Sequence, residues 1–298
     1  SHIDVQALGL INPLLTTCGG FHQPTRVHFK RSGVQTLQLI RNARKQHHRR
    51  HAERVRLVDH EATDAWALLR QQMATLGSVD GVKGRSDVIL ADPFEGIVRA
   101  TEERRPDILV LGPHRRQFLR DAFVGTTAER AIRKVACPVL SVNGPPVSPY
   151  RQILLTTDLS EASKAALQGY FDLGIFAAVN HAILTVFDVL ALRLAMSDTL
   201  PREDRDHHVA TEAAEARRSL ATFAGNLGRS DLQLLVRHRE TTEANEILKA
   251  AEQTQADLVV MATRGKGGLA RMMLGSVTQQ VLQNTRIDVL TMPPPRVA

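Results

Sequence analysis

Cysteine is almost absent. Cys18 and Cys137 are the two cysteines in 298 residues, which leaves no disulfide framework and predicts a reducing, cytoplasmic setting. Long hydrophobic runs are missing too. The most apolar extended stretch, 173–196, is broken by Asn180, His181, Asp188 and Arg193, so no membrane span is expected, and no signal peptide is legible. The common catalytic signatures are also lacking: no G-x4-G-K-[ST] loop, no G-x-S-x-G elbow, no H-E-x-x-H helix. No Cys/His set has closed zinc spacing. The sequence therefore nominates no catalytic residue and no closed metal site.

Acidic residues are scarce only at the start. Residues 1–60 hold ten Lys and Arg against three acids (Asp4, Glu53 and Asp59), whereas 61–298 hold 28 of each. The formal charge of +7 thus belongs to the N-terminal fifth, and the balanced remainder gives no reason to expect nucleic-acid binding. Within that fifth, 34–58 (VQTLQLIRNARKQHHRRHAERVRLV) reads as a basic helix. His47 and His51 would share one face of it, a partial metal site beside the plainer reading of a solvated basic face. No strand, acidic turn or amphipathic helix is legible in 1–60.

What the chain does contain is a repeated unit. Asp257 to Met292 begins with DLVVMA, a run suited to a buried parallel strand. TRGKGG follows, where Gly265, Gly267 and Gly268 disfavour strand and helix alike. Gly275-Ser276 then opens a helix with Val277, Val281 and Leu282 on one face, and IDVLTM closes the unit as a strand. A strand feeding a glycine-rich loop and then a helix start outlines a phosphate site, because helix N-termini favour anions. Asp107 to Val142 aligns with this stretch without a gap at an offset of 150, with six identities that include Asp107/Asp257 and Gly125/Gly275. A repeat this long means two copies of one α/β domain, as the length also suggests.

In order, 1–143 reads as a degenerate first copy with an atypical basic start, 144–150 (GPPVSPY) as a Pro-rich linker, and 151–298 as a complete second copy. In the first copy, 62–77 reads as a helix, SDVILAD as a strand and PFEGIVRATEERR as a helix with Pro93 in its first turn. In the second, QILLTTD is a strand ending in Asp158, followed by a helix over 160–178 with Ser160 as N-cap. HAILTVFDV is a strand, 190–206 a loop, 207–228 an amphipathic helix, LQLLVRH a strand, and TEANEILKAAEQTQ a helix. Such alternation predicts a parallel sheet covered on both faces.

With Asp158 after the first strand and the loop 262–276 after the fourth, the second copy resembles the universal stress protein family. Nucleotide-binding members carry G-x2-G-x9-G-(S/T) after strand four and an Asp directly after strand one. Gly265, nine residues, then Gly275-Ser276 match this pattern, and Ala262 replaces the first glycine. TTDLSEAS, 156–163, resembles the family's first-strand signature. The likeness covers 151–298 and 61–143 but not 1–60. It implies two tandem five-stranded, doubly wound α/β domains of the adenine nucleotide α-hydrolase-like kind, with strand order 3-2-1-4-5. In that order strands 1 and 4 flank the switch point, where open α/β sheets bind ligands.

The resemblance implies a nucleotide-contacting set of Thr157, Asp158, Val186, Ala262, Arg264, Gly265, Lys266, Gly275, Ser276 and Val277. Each also has a plainer reading: turn glycines for Gly265 and Gly275, an N-cap for Ser276, a turn-capping acid for Asp158, solvated cations for Arg264 and Lys266, and core packing for Val186. Asp188 is a further candidate for the base pocket. In the first copy Arg115 stands where Gly265 would be, and no acid answers to Asp158. The implied function is a stress-response sensor or regulator whose C-terminal domain binds ATP, ADP or AMP, with Mg2+ admitted only as the nucleotide's companion. A slow ATP-hydrolysing enzyme and a nucleotide-free interaction module remain alternatives. Duplication of a dimerising domain implies an intrachain pseudo-dimer and leaves a homodimer open.

Overall fold

A strand covered on both faces must be apolar on both, and ILLT, AILTV and LVVM meet that condition. The computed structural model describes residues 5–10, 34–41, 62–71, 73–74, 83–112, 127–143, 148–176, 179–189, 201–263 and 274–294. The chain divides into two compact units, Ser1–Pro149 and Tyr150–Ala298.

The first unit contains β1 (Val5–Leu10), β2 (Val34–Arg41), β3 (Lys83–Leu90), α1 (Pro93–Arg104), β4 (Ile108–Leu111), α2 (Thr127–Lys134) and β5 (Val139–Ser141). Residues 62–71 and 73–74 are also helical. All pairings are parallel, in the order β3-β2-β1-β4-β5. Asp92 caps α1 by accepting from the Phe94 N–H at 3.1 Å, with Pro93 at the first helical position.

The second unit contains β6 (Gln152–Thr156), α3 (Glu161–Asp172), β7 (Asn180–Phe187), α4 (Arg202–Asn226), β8 (Gln233–His238), α5 (Glu243–Gln253), β9 (Leu258–Ala262), α6 (Ser276–Asn284) and β10 (Asp288–Met292). Parallel pairing gives β8-β7-β6-β9-β10. On one face Leu154, Leu184, Val259, Met261 and Val289 pack against Ala244, Ile247 and Ala250 of α5 and Val281 of α6. On the other, α3 lies on β9 and β10, and α4 on β8 and β7. Ile153, Leu155 and Ile183 are fully buried; each such side chain contributes about 1.5–3 kcal/mol.

The structure corrects several expectations. Val34–Arg41 is a strand, not the start of a basic helix. All eight of its residues pair with β3, and that ladder, with β-branched Val34, Thr36 and Ile40, outweighs any helical periodicity. With β1 ahead of it, the N-terminal segment does supply the two strands that its sequence hid. The histidines His47, His48 and His51 lie outside the described residues. Of the expected loop 190–206, residues 190–200 lie outside the described residues, and 202–206 are helical, because α4 begins at Arg202 behind Pro201, with Glu203 and Asp204 favouring its first turn. The helix expected over 160–178 stops at Asp172, where Gly174 turns left-handed at φ +65°. Among the described residues no helix is long and apolar enough to cross a membrane.

Candidate functional site

In the order β8-β7-β6-β9-β10 the connections from β6 and β9 leave toward opposite faces, so the carboxyl ends of these neighbours open a crevice. The two strands pair through Ile153↔Leu258, Leu154↔Val259 and Leu155↔Val260, and the Thr156 hydroxyl donates to the Val260 carbonyl at 3.2 Å. Thr157 and Asp158 follow β6, and Ala262 ends β9, at one level of the sheet. On the other side of β6, the Thr157 N–H donates to the Leu184 carbonyl at 2.9 Å, which sets Val186 two residues farther along β7.

The turn after β6 is densely bonded. Thr157 is buried, with its hydroxyl 2.8 Å from that of Ser163. The Leu159 N–H donates to Thr157 Oγ1 at 2.9 Å. Asp158 Oδ1 accepts from both the N–H and the hydroxyl of Ser160, at 3.1 and 2.5 Å. Ser160 caps α3 as expected, accepting from the Ser163 N–H at 3.2 Å.

The helix start after β9 is held by two bonds. The Gly275 N–H donates to the Thr263 carbonyl at 2.9 Å, and the Thr278 hydroxyl donates to the Ala262 carbonyl at 2.9 Å. Gly275, not Ser276, is the N-cap, and no side chain caps the helix. The first intrahelical bond runs from the Gln279 N–H to the Gly275 carbonyl. The N–H groups of Ser276, Val277 and Thr278 therefore have no carbonyl partner within α6, and Ser276 is exposed at their mouth. At φ −59°, ψ 143° Gly275 has a backbone open to any residue, and its N–H is already committed. What it offers a ligand is space.

Three candidates change character. Val186 and Val277 pack against the core cluster with their side chains, so of Val277 only the N–H faces the question of a ligand. Asp188 is paired: its Oδ2 accepts from Arg239 Nη2 at 2.5 Å, while Arg239 Nη1 donates to Glu243 at 3.2 Å, tying β7 to β8 and α5. Arg264, Gly265 and Lys266 lie outside the described residues. Sequence reasoning missed Thr278 as a strap and Leu159, whose φ of +62° is left-handed; neither leaves a pattern in residue type alone.

An adenine nucleotide requires an anion cradle and a hydrogen-bond acceptor for its ribose or base. The three N–H groups of α6 and the Asp158 carboxylate fit those needs. No three His, Cys, Asp or Glu side chains gather into a metal site among the described residues. A cavity of about 310 Å³ lined by Ala224, Gly225, Arg229 and Leu232 lies toward the amino end of β8, away from the crevice.

The first unit repeats the register with other residues. Val5↔Ile108 corresponds to Ile153↔Leu258, which brings Gly9 and Leu10 to the level of Thr157 and Asp158. Val5↔Gln35 and Ile153↔His181 likewise set Ile40 at the level of Val186.

Comparison with known proteins adds a family. The sequence model of the universal stress protein family matches residues 36–143 and 149–293. Universal stress protein MJ0531 of Methanocaldococcus jannaschii is 31% identical over 158 residues, 49% of this chain and 84% of that protein. Universal stress protein Rv2005c of Mycobacterium tuberculosis is 24% identical over 210 residues, 69% of this chain and 68% of that one. Among solved structures, a universal stress protein from Archaeoglobus fulgidus has a TM-score of 0.60 at 16% identity, covering 88% of this chain and 87% of that one. The protein PA1789 of Pseudomonas aeruginosa gives 0.59 at 17%, covering 97% and 92%. At those identities the structures speak to fold alone. The family match starts at residue 36, so the likeness extends into the segment that the sequence pattern left out, over β2.

Proposed function

Because the chain belongs to the universal stress protein family, we propose that its C-terminal unit binds ATP or a related adenine nucleotide as a sensor or regulator. The observation that carries this reading is the convergence, on adjacent strands, of the Asp158 carboxylate after β6 and an uncapped helix start after β9. The N–H groups of Ser276, Val277 and Thr278, the Ser276 hydroxyl and the Gly265 backbone would hold phosphate, with Arg264 and Lys266 adding charge. Asp158 would accept from ribose or adenine, beside Val186. The first unit is a degenerate copy on this reading, since Leu10 and Arg115 occupy the places of Asp158 and Gly265. Its role would be structural, and the setting cytoplasmic.

Melting the full chain with ATP, ADP or AMP tests the reading, together with mass spectrometry of any small molecule that co-purifies. A nucleotide-dependent rise in melting temperature is expected; no shift with any of the three refutes it. Steady ADP production abolished by Ser276→Ala would instead mark an enzyme.

A further inference from the structure

The turn that carries Asp158 is more constrained than a strand-to-helix connection requires. Leu159 sits at φ +62°, a left-handed conformation that side chains disfavour and that accumulates where geometry matters. That reversal brings Ser160 back over the carboxylate two residues earlier. Ser160 then uses one hydroxyl twice. Its oxygen accepts the Ser163 N–H at 3.2 Å, which is the cap of α3, and its proton goes to Asp158 Oδ1 at 2.5 Å. The Ser160 N–H reaches the same Oδ1 at 3.1 Å. Capping needs only the acceptor; the donation to Asp158 is additional and commits the hydroxyl's single proton. Thr157 supports the arrangement from beneath, through Leu159 N–H at 2.9 Å and the Ser163 hydroxyl at 2.8 Å.

We propose that Ser160 is a positioning residue for nucleotide recognition: it fixes the Asp158 carboxylate in one orientation, so that little rotamer freedom is lost when a ribose or adenine donor meets it. The inference rests on the reading of the crevice as an adenine-nucleotide site. It assigns Ser160 no contact with the ligand, and it separates two tasks of one side chain that substitution can divide.

Glycine is nearly as good an N-cap as serine, whereas alanine is poor, and both remove the donor. ATP affinity and melting temperature of the full chain should therefore be measured for Ser160→Gly, Ser160→Ala and Ser160→Thr. Ser160→Gly and Ser160→Ala are expected to lose ATP affinity by the same factor, about tenfold for a hydrogen bond to a charged group, although the alanine variant melts lower. Ser160→Thr, which keeps both donor and cap, should bind as the wild type does. Wild-type affinity in Ser160→Gly overturns the proposal and leaves Ser160 a cap alone. So does an affinity loss that tracks melting temperature, with alanine far worse than glycine. If the wild type itself binds none of ATP, ADP and AMP, the reading of the crevice fails and the positioning role with it, an outcome distinct from a binding wild type that tolerates glycine.

Discussion

At the end of its first strand the N-terminal unit has Gly9 and Leu10 at the level where the C-terminal unit has Thr157 and Asp158, although the two sheets pair in the same register. On the second strand of each unit, Gln35 corresponds to His181 and Ile40 to Val186. At the 150-residue offset, Gly96 of α1 answers to buried Glu246 of α5. The sheet survives these exchanges because it is held by many apolar contacts and backbone bonds, each replaceable. A ligand site depends on a few groups with fixed chemistry, and losing one acid or one loop glycine removes it. On the function proposed above, decay of one copy after duplication would separate the residues that serve the fold from those that serve the crevice.

The sharpest break of this comparison is at the loop–helix junctions. Gly275→Val should abolish the ATP-induced stabilisation, about 2.7 kcal/mol at a hundredfold excess over Kd. The protein should remain folded, because the Gly275 backbone is already in a region that valine adopts. Gly125→Val should leave the ATP response intact. Thermal melts of both variants decide the matter; the reverse result, with both folded, would reassign the working half. Arg115→Gly should restore nothing, since Leu10 still offers no acceptor.

Next in size is Asp158→Ala, expected to weaken ATP binding by about 2 kcal/mol, the scale of a charged hydrogen bond. Calorimetric titration checks it, and unchanged affinity would place recognition elsewhere.

A smaller effect separates the helices α1 and α5. Glu246 is 1% exposed and accepts from Lys249 at 2.9 Å and from Thr241 at 3.2 Å, with Arg237 Nε at 3.4 Å. Burial pushes its carboxyl up, but the Lys249 bond and the Lys249 and Arg237 charges outweigh this and hold it low. Glu246→Ala should cost the C-terminal unit about 1 kcal/mol and leave ATP affinity unchanged, as denaturant titration beside binding would show.

The smallest concerns acid. His181 bonds the Tyr170 hydroxyl at 2.8 Å, and burial, then the Arg229 charge, hold its ring below the ordinary histidine range despite Asp231. The unfolded ring protonates near 6.5, so below that pH the unfolded state binds the extra proton first. Stability from this group is complete above about 6.5 and falls as pH drops toward the lower native value. The first unit carries Gln35 at that level, so His181→Gln should flatten the C-terminal unit's acid sensitivity; an unaltered pH profile would discount the ring.

Much of the second unit is legible in residue order alone. The runs LLTTD, AILTVF and DLVVMA, the glycines of 265–275, the cap at Ser160 and the 150-residue repeat are local signals, written in periodicity and in residues with restricted or permissive backbones. They suffice for an α/β fold and for a candidate crevice. The N-terminal strands are not legible in this way, because β1 and β2 are decided by backbone pairing with partners such as Ile108, far away in the chain, and a ladder bond is indifferent to side-chain type. Likewise only tertiary structure could turn Val277 into the core, commit Asp188 to Arg239 across 51 residues, bring Ser160 back onto Asp158 through a left-handed leucine, and fill the Gly275 N–H with the Thr263 carbonyl. Sequence by itself determined which groups arrive at the carboxyl end of the sheet. Which of their atoms remain open to a ligand was settled by packing and hydrogen bonding, because each donor or acceptor satisfied within the protein is one that a ligand cannot use.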